Sequence, residues 1–423
     1  MSLRRIKGTQ DILPEFSARW QFVESVIQRC MRVFNYKEIR TPVFEQTEVF
    51  ARGIGQLTDI VSKEMYTFKD KGEKSLTLKP EMTAPVMRAF LENKMGNQLP
   101  LNKLYYLSPL FRQENPQAGR LRQFNQFGAE AIGPCSAELD AEVIILAMFI
   151  YNELGIKNLN LKLNSVGDPA SRERYKTELK HYFKPLLDQY CDDCKNRYES
   201  NPMRVLDCKK RDCKVLNKKA PKLLDYLDER SMGHLEKVKQ ILTDNGTDFE
   251  VDPYLVRGLD YYTDTVFEIT SGNLGSQDAI CGGGRYDLLA EQLDGAHTPA
   301  VGFASGIERL LMVMEAQELL KLEDASLDVY LCVLGDSASN PAMQWLQRIR
   351  DLGLSADRDY LGRSVKAQMR DANRQKAQIV LLLGENELDE KKFAVKDMVA
   401  GTQTDVGFDQ IISFLNAYFK RQE

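Results

Sequence analysis

Apolar residues recur at Trp20, Val23, Ile27, Cys30 and Phe34, in steps of three and four, which predicts an amphipathic helix near the start of the chain. Residues 38–45 then read as a strand, but Pro42 interrupts it. Proline cannot donate to a ladder, so this should be an edge or interface strand. Short β-rich runs follow at 64–68, 75–78, 103–111 and 123–132, with a helix at 84–93 between them. A helix at 137–154 and a strand at 160–165 close this block.

Residues 170–240 have a different character: helical spacing, Pro185 and Pro202, and four of the eight cysteines. They read as an insertion. The β-rich pattern resumes at 254–271 and 279–284, and a helix is expected from Gly302 to about Leu320. After a linker at 323–326, apolar strands at 329–334, 354–357 and 379–383 alternate with helices at 341–352 and 363–375. That alternation predicts a small α/β domain with a largely parallel core. At roughly one domain per ~150 residues, the length leaves room for about three units.

Composition narrows the class. With 43% hydrophobic and 28% charged residues the chain can bury a full core. The net charge of -4 hides an asymmetry, since residues 170–240 carry 18 Lys and Arg against 12 Asp and Glu. Such a segment is compatible with a polyanion partner or with a solvated surface. Arg4 and Arg5 have no apolar run behind them, so no secretory signal is expected. The longest nearly apolar stretch, 143–151, is far below the ~20 residues of a membrane span. Eight cysteines without a signal point to a reducing compartment. The chain reads as soluble and cytoplasmic.

Familiar nucleotide loops of the P-loop and G-x-G-x-x-G kinds are absent from the sequence, and the three histidines (His181, His234, His297) are not spaced as metal ligands. Arginines beside carboxylates stand out instead. Phe111, Arg112, Gln113 and Glu114 lead into a loop ending at Arg120, and the chain returns through 121–130. On the return strand Phe124, Gln126, Gly128 and Glu130 share one face by the period of two: an aromatic platform, an amide, bare backbone and a carboxylate. A second cluster runs Leu255, Val256, Arg257, Gly258, Leu259, Asp260, Tyr261, Tyr262; if extended, its tyrosines would point to opposite sides. A third, from Cys281 through three glycines to Arg285, Tyr286 and Asp287, marks close backbone approach. The fourth runs from Val301 to Arg309. Each alone could be an ordinary hairpin or tight turn.

Together and in this order they resemble the class II aminoacyl-tRNA synthetases, and within them the histidyl-tRNA synthetase family, over nearly the whole chain. The first helix with the Pro42 strand resembles motif 1, an element of a homodimer interface; Arg112 to Glu130 resembles motif 2; Gly302 to Arg309 resembles motif 3. The 255–262 and 282–287 segments are similar to the histidine-specific signatures. The resemblance implies an α+β fold. Residues 1–325 would form an antiparallel-sheet catalytic domain with a helical insertion at about 170–240, and 327–423 an anticodon-binding-like α/β domain. It also implies ATP-dependent ligation of L-histidine to tRNA(His) through a histidyl-adenylate, with Mg2+ accompanying ATP.

By the same resemblance, Arg112, Glu114, Phe124 and Arg309 would hold ATP. Glu81, Thr83 and Gln126 would receive the substrate ammonium; Glu130 and Tyr262, with Tyr261 adjacent, would bracket the imidazole; Arg257 would sit on the α-phosphate, with Arg112 its catalytic companion. Asn115 stands where the family is often basic, and Met82 where glycine is frequent. In the C-terminal domain Arg363, Lys366, Arg370 and Arg374 make one basic stripe for tRNA. Cys191, Cys194, Cys208 and Cys213, in two close pairs, fit a structural zinc site, with free thiols and disulfides as alternatives. Two other functions on this fold remain to be separated: a non-catalytic histidine-sensing regulatory paralogue, which would lack the phosphate-binding arginines and the anticodon domain, and a nucleic-acid-binding accessory protein.

Overall fold

The computed structural model describes residues 3–55, 58, 60–208, 210–257, 259–274, 278–321 and 326–420. Gly258 and linker residues 323–325 lie outside the described residues. The chain divides into two compact units, Met1–Lys321 and Leu322–Glu423.

An eight-stranded sheet organises the first unit. Its order is Lys37–Glu38, Asn102–Phe111, Gln123–Ile132, Ala300–Gly306, Ala279–Arg285, Thr263–Ser271, Leu159–Ser165, Glu250–Val251. The six central strands run antiparallel, and only the two short edge strands pair in parallel. One face is covered by helices. Pro14–Val33 starts with proline at its first turn, where a missing N–H costs nothing, and buries Trp20, Val23, Val26, Ile27, Cys30 and Met31. Ala137–Glu153 is capped by Ser136, whose side chain accepts from the Leu139 N–H. These helices join Phe127, Ala129, Phe267, Ile269, Cys281 and Phe303 of the sheet in one core. The opposite face is left for a cavity.

Several expectations change. The described residues of 254–262 are not strand; regular pairing begins at Thr263. Gly302 does not start a helix but lies within strand Ala300–Gly306, and the helix is Ile307–Ala316. Between the short strands at Lys37–Glu38 and Phe44–Gln46 the Pro42 run is irregular, and Phe44–Gln46 belongs to a separate three-stranded sheet with Tyr66–Lys69 and Ser75–Leu78.

The basic segment does not separate as a third unit. Helix Glu229–Asp244 lays Leu235, Val238 and Leu242 into the main core. Helix Pro169–Phe183 contributes Tyr175, Leu179 and Phe183 to a second core, shared with Tyr106, Tyr261, Tyr262 and Tyr286 around the cavity. Shared burial, rather than a linker, joins this segment to the sheet.

The C-terminal unit has a five-stranded mixed sheet. Ala356–Arg358, Val329–Val333 and Ile379–Leu383 are parallel, as expected, and Lys392–Asp397 and Thr402–Gly407 add antiparallel edges. Its core includes Leu331, Trp345, Leu346, Ile349, Leu381 and Phe393. Among the described residues no helix is long and apolar enough to cross a membrane.

Candidate active site

A cavity of about 640 Å³ opens on the face of the main sheet opposite helices Pro14–Val33 and Ala137–Glu153. Strand alternation builds its floor. Phe127, Ala129 and Ala131 turn into the helical core, while Phe124, Gln126, Gly128 and Glu130 face the other way. Phe124, Gln126, Glu81, Thr83, Arg112, Glu114, Arg257, Tyr261, Tyr262 and Arg309 all border the cavity. Glu130 lies beneath it, bonded to three of the side chains around it.

Glu130 is 1% exposed. Thr83 Oγ1 donates to its Oε1 at 2.9 Å, Tyr106 OH to the same oxygen at 3.4 Å, and Tyr286 OH to Oε2. Burial pushes its carboxyl up to about 8; the bonds from Tyr286 and Thr83 oppose that rise, and the neighbouring Glu81 charge adds to it. Glu81 caps the helix Thr83–Glu92: its oxygens accept from the Thr83 N–H at 2.7 Å and the Ala84 N–H at 3.0 Å. Burial raises its carboxyl as well, against these backbone donors. Thr83 thus connects the residues expected at the ammonium to the one expected at the ring.

Arg257 is held by Glu268, with Nη1 to Oε2 at 2.7 Å, rather than by a carboxylate of its own loop. Its guanidinium lies over Gly282, where any Cβ would overlap it. Gly302 serves Glu130 in the same way, since a Cβ there would overlap the carboxylate and the Ala129 carbonyl. The first is the close backbone approach expected of the 282–284 glycine run, and the second accounts for a glycine that the sequence reads as a helix start. Tyr261 and Tyr262 do not diverge. Their loop is not extended, and their rings pack with centroids 4.8 Å apart.

At the mouth, the Arg112 guanidinium lies 5.3 Å from the Phe124 ring centroid, and its Nε donates to the Pro80 carbonyl at 2.9 Å. Arg309 Nε donates to the Gly119 carbonyl at 3.1 Å and Nη1 to that of Ala279 at 2.6 Å. Glu114 pairs with Arg120 at 3.3 Å. Met82 is buried, with Thr41 Oγ1 3.7 Å from its sulfur.

Tyr106 and Glu268 were not singled out from the sequence. Tyr286 lay within the third glycine cluster but was given no role, although the period of two from Gly282 through Gly284 places it on the cavity face. Arg285, its neighbour, points into the opposite core, where it pairs with buried Asp140, as does His234. Burial opposes the Asp140 charge, yet its partners, His234 and Arg285, hold the carboxyl below its usual range.

Away from the cavity floor, the four cysteine sulfurs lie within 4.8 Å of one another. Cys191 immediately precedes helix Asp192–Ser200, Cys194 sits in that helix's first turn, and Cys213 is in Arg211–Asn217. In the C-terminal unit the four residues of the expected basic stripe differ in their ties. Buried Asp371 pairs with Arg363 (2.8 Å) and with Arg374, whose side chain is 77% exposed, and Arg363 also pairs with Asp359 at 2.5 Å. Lys366 and Arg370 stay exposed.

Comparisons with known proteins bear on the family of both units. Residues 8–310 match the histidyl-tRNA synthetase family and residues 328–418 the anticodon binding domain family. The histidine–tRNA ligases of Halothermothrix orenii and Bacillus subtilis are each 48% identical, over 97% of this chain and 98% of their own lengths. The crystal structure of apo histidyl-tRNA synthetase from S. aureus superposes with a TM-score of 0.82 at 42% identity, covering 98% of this chain and 100% of that one. On this agreement across both units, the chain belongs to the histidyl-tRNA synthetase family.

Proposed function

We propose that the Glu130 cavity is the adenylation site of this histidine–tRNA ligase. One observation carries the reading: a buried carboxyl, held by Thr83, Tyr106 and Tyr286, at the base of a cavity whose rim bears Arg112, Arg257 and Arg309. Imidazole presents one N–H donor and one acceptor nitrogen on opposite edges. A carboxyl near neutrality can meet the ring as acceptor or donor, with Tyr262 on the other side. A site that pairs both nitrogens rejects amino acids lacking them, because its own polar groups would be left unsatisfied. Glu81 and Gln126, with Thr83 beside them, receive the ammonium.

Phe124 and Arg112 form a platform for the adenine ring and the phosphates beside it; Glu114 borders it, and Arg309 faces the triphosphate. The histidine carboxylate oxygen attacks the α-phosphorus, an O–P bond forms, the bridging P–O bond to the β-phosphate breaks, and pyrophosphate leaves. Negative charge grows on the α-phosphate oxygens during that exchange. Arg257, oriented by Glu268, stabilises it with donors already in place. The terminal hydroxyl of the tRNA then takes the histidyl group and AMP departs. Magnesium, which the family uses with ATP, neutralises phosphate charge when bound. The donor set suits it, since Glu114 and Asp278 on the wall are hard oxygen ligands of the kind it takes beside phosphate oxygens.

A zinc ion held by Cys191, Cys194, Cys208 and Cys213 is also part of this reading. A tetrahedral ion with Zn–S of ~2.3 Å separates its sulfurs by about 3.8 Å, and Cys191 and Cys208 stand 3.9 Å apart. Zinc would supply structure there, not chemistry. Elemental analysis of protein purified without chelator should find about one zinc per chain; a folded protein free of metal would leave the thiols free. We further read the sheet bearing exposed Phe44 and Phe68, with ring centroids 6.4 Å apart, as a face of a homodimer, which sedimentation would test. In the C-terminal unit the exposed Lys366, Arg370 and Arg374 are the members of the basic stripe placed to meet tRNA phosphates, Lys366 and Arg370 with no ion pair to a carboxylate among the described residues. Charging of tRNA(His) with labelled histidine should proceed only with ATP. Charging with a different amino acid at equal efficiency would overturn the assignment.

A further inference from the structure

The four cysteines of the 191–213 segment form a knuckle, and three of them belong to the buried core that runs to the cavity. Cys194, Cys208 and Cys213 share one continuous buried cluster with Leu255, Tyr261, Tyr262 and Tyr286. Cys208 itself borders the cavity, as do Arg204, Asp207 and Lys210 around it. Polar ties run alongside. Asn201 Nδ2 donates to Asp260 Oδ1 at 3.0 Å, and Arg172 Nη1 donates to the carbonyls of Asp260 at 3.2 Å and Tyr262 at 2.8 Å. The described residues of 255–262 form no helix or strand, so what packs against them sets their shape.

We propose that the cysteine knuckle and the described residues of the 255–262 loop order as one packed unit, so that metal in the knuckle and histidine in the cavity strengthen each other's binding, with Arg172 and Asn201 as positioning residues. The proposal rests on the histidine and zinc readings above. Coupling of this kind is carried by a packed core with two arrangements, one ordered and one loosened. It is also reciprocal: whatever factor the metal adds to histidine affinity, histidine must add to the metal's.

The full-length protein tests both directions. Equilibrium dialysis with labelled L-histidine compares protein as purified with protein stripped by a chelator and checked for fold by circular dichroism. Stripping should weaken histidine binding by roughly fivefold or more, the usual scale of such coupling. In the reverse direction, saturating L-histidine should slow iodoacetamide alkylation of Cys191, Cys194, Cys208 and Cys213, read by mass spectrometry, by a similar factor. D-histidine, with the same chelating power, serves as the control. Arg172→Ala combined with Asn201→Ala should bring both factors towards one while raising the histidine KM more than it lowers kcat, a split that general destabilisation would not produce.

Equal histidine affinity in the folded stripped protein, with no protection of the thiols by L-histidine, overturns the coupling. Protein that carries no metal and takes up none refutes the zinc reading and the metal half of the coupling with it, and the alkylation rates then decide only whether histidine orders the knuckle. Failure to bind histidine in any state refutes the histidine site and the coupling with it.

Discussion

Replacing Arg257 with alanine removes a guanidinium that is 21% exposed, lies over Gly282 and donates to Glu268. Two consequences can be separated. The first is catalytic: loss of one preorganised donor to developing charge costs about 10²–10³ in rate, or about 2.7–4 kcal/mol. The second is structural, because Glu268 loses its partner. Its side chain is itself 21% exposed, so water reaches it, and the stability loss should be about 1–3 kcal/mol. Single-turnover adenylate formation at saturating histidine and ATP measures the first, and a thermal melt the second. Histidine affinity should change little, since the ring and ammonium contacts lie elsewhere. The companion variant Arg257→Ala with Glu268→Gln removes the stranded charge and should recover stability but not rate. A rate within threefold of the parent in the folded single variant would refute the reasoning, and so would recovery of rate in the double variant.

Other consequences follow from the same geometry. Glu130→Gln should weaken histidine binding roughly 10- to 150-fold, the worth of a hydrogen bond involving a charged partner, measured by equilibrium dialysis. The raised carboxyl at Glu130, near 8, also fixes a pH dependence. Unfolding releases its proton once the pH exceeds the ordinary glutamate range, so its stability contribution is full below that range and is lost as pH rises towards 8. Melting temperatures should therefore show Glu130→Gln gaining on the parent between about pH 4.5 and 8, and parallel curves would contradict the buried, raised carboxyl. Gly302→Ala should cost about 1–3 kcal/mol by overpacking and displace Glu130; a stable variant with unchanged histidine affinity would contradict the close approach. Lys366→Ala with Arg370→Ala should weaken tRNA binding and make its salt dependence shallower by about one phosphate contact each. An unchanged slope would remove these two residues from the tRNA face.

What local pattern could reveal is clearest on strand Gln123–Ile132. A period of two is set by the backbone itself, so Phe124, Gln126, Gly128 and Glu130 were assignable to one face without a structure. Pro14–Val33 was legible for the same reason, its apolar stripe matching the helical period. Other features depend on distant partners. Gly302 looked like helix punctuation, but its neighbour in space is the Glu130 carboxylate, more than 170 positions away in sequence. The tyrosine pair was assigned to an extended run, whereas the packed cluster around Arg172 and the knuckle bends it. The ties of the basic stripe were not legible: a helical wheel shows which residues share a face, but not that Asp371 turns inward and pairs with half-buried Arg363 and exposed Arg374. Tyr286 and Tyr106 reach Glu130 from two other strands or their ends, and no local spacing encodes that meeting.

The central claim is that the Glu130 cavity selects histidine and activates it with ATP before any tRNA is present. ATP–pyrophosphate exchange, run without tRNA across the amino acids, tests it most directly. The account predicts exchange with L-histidine and none of comparable efficiency with the others. Exchange that requires tRNA, or that runs equally well with an amino acid lacking an imidazole, would contradict it.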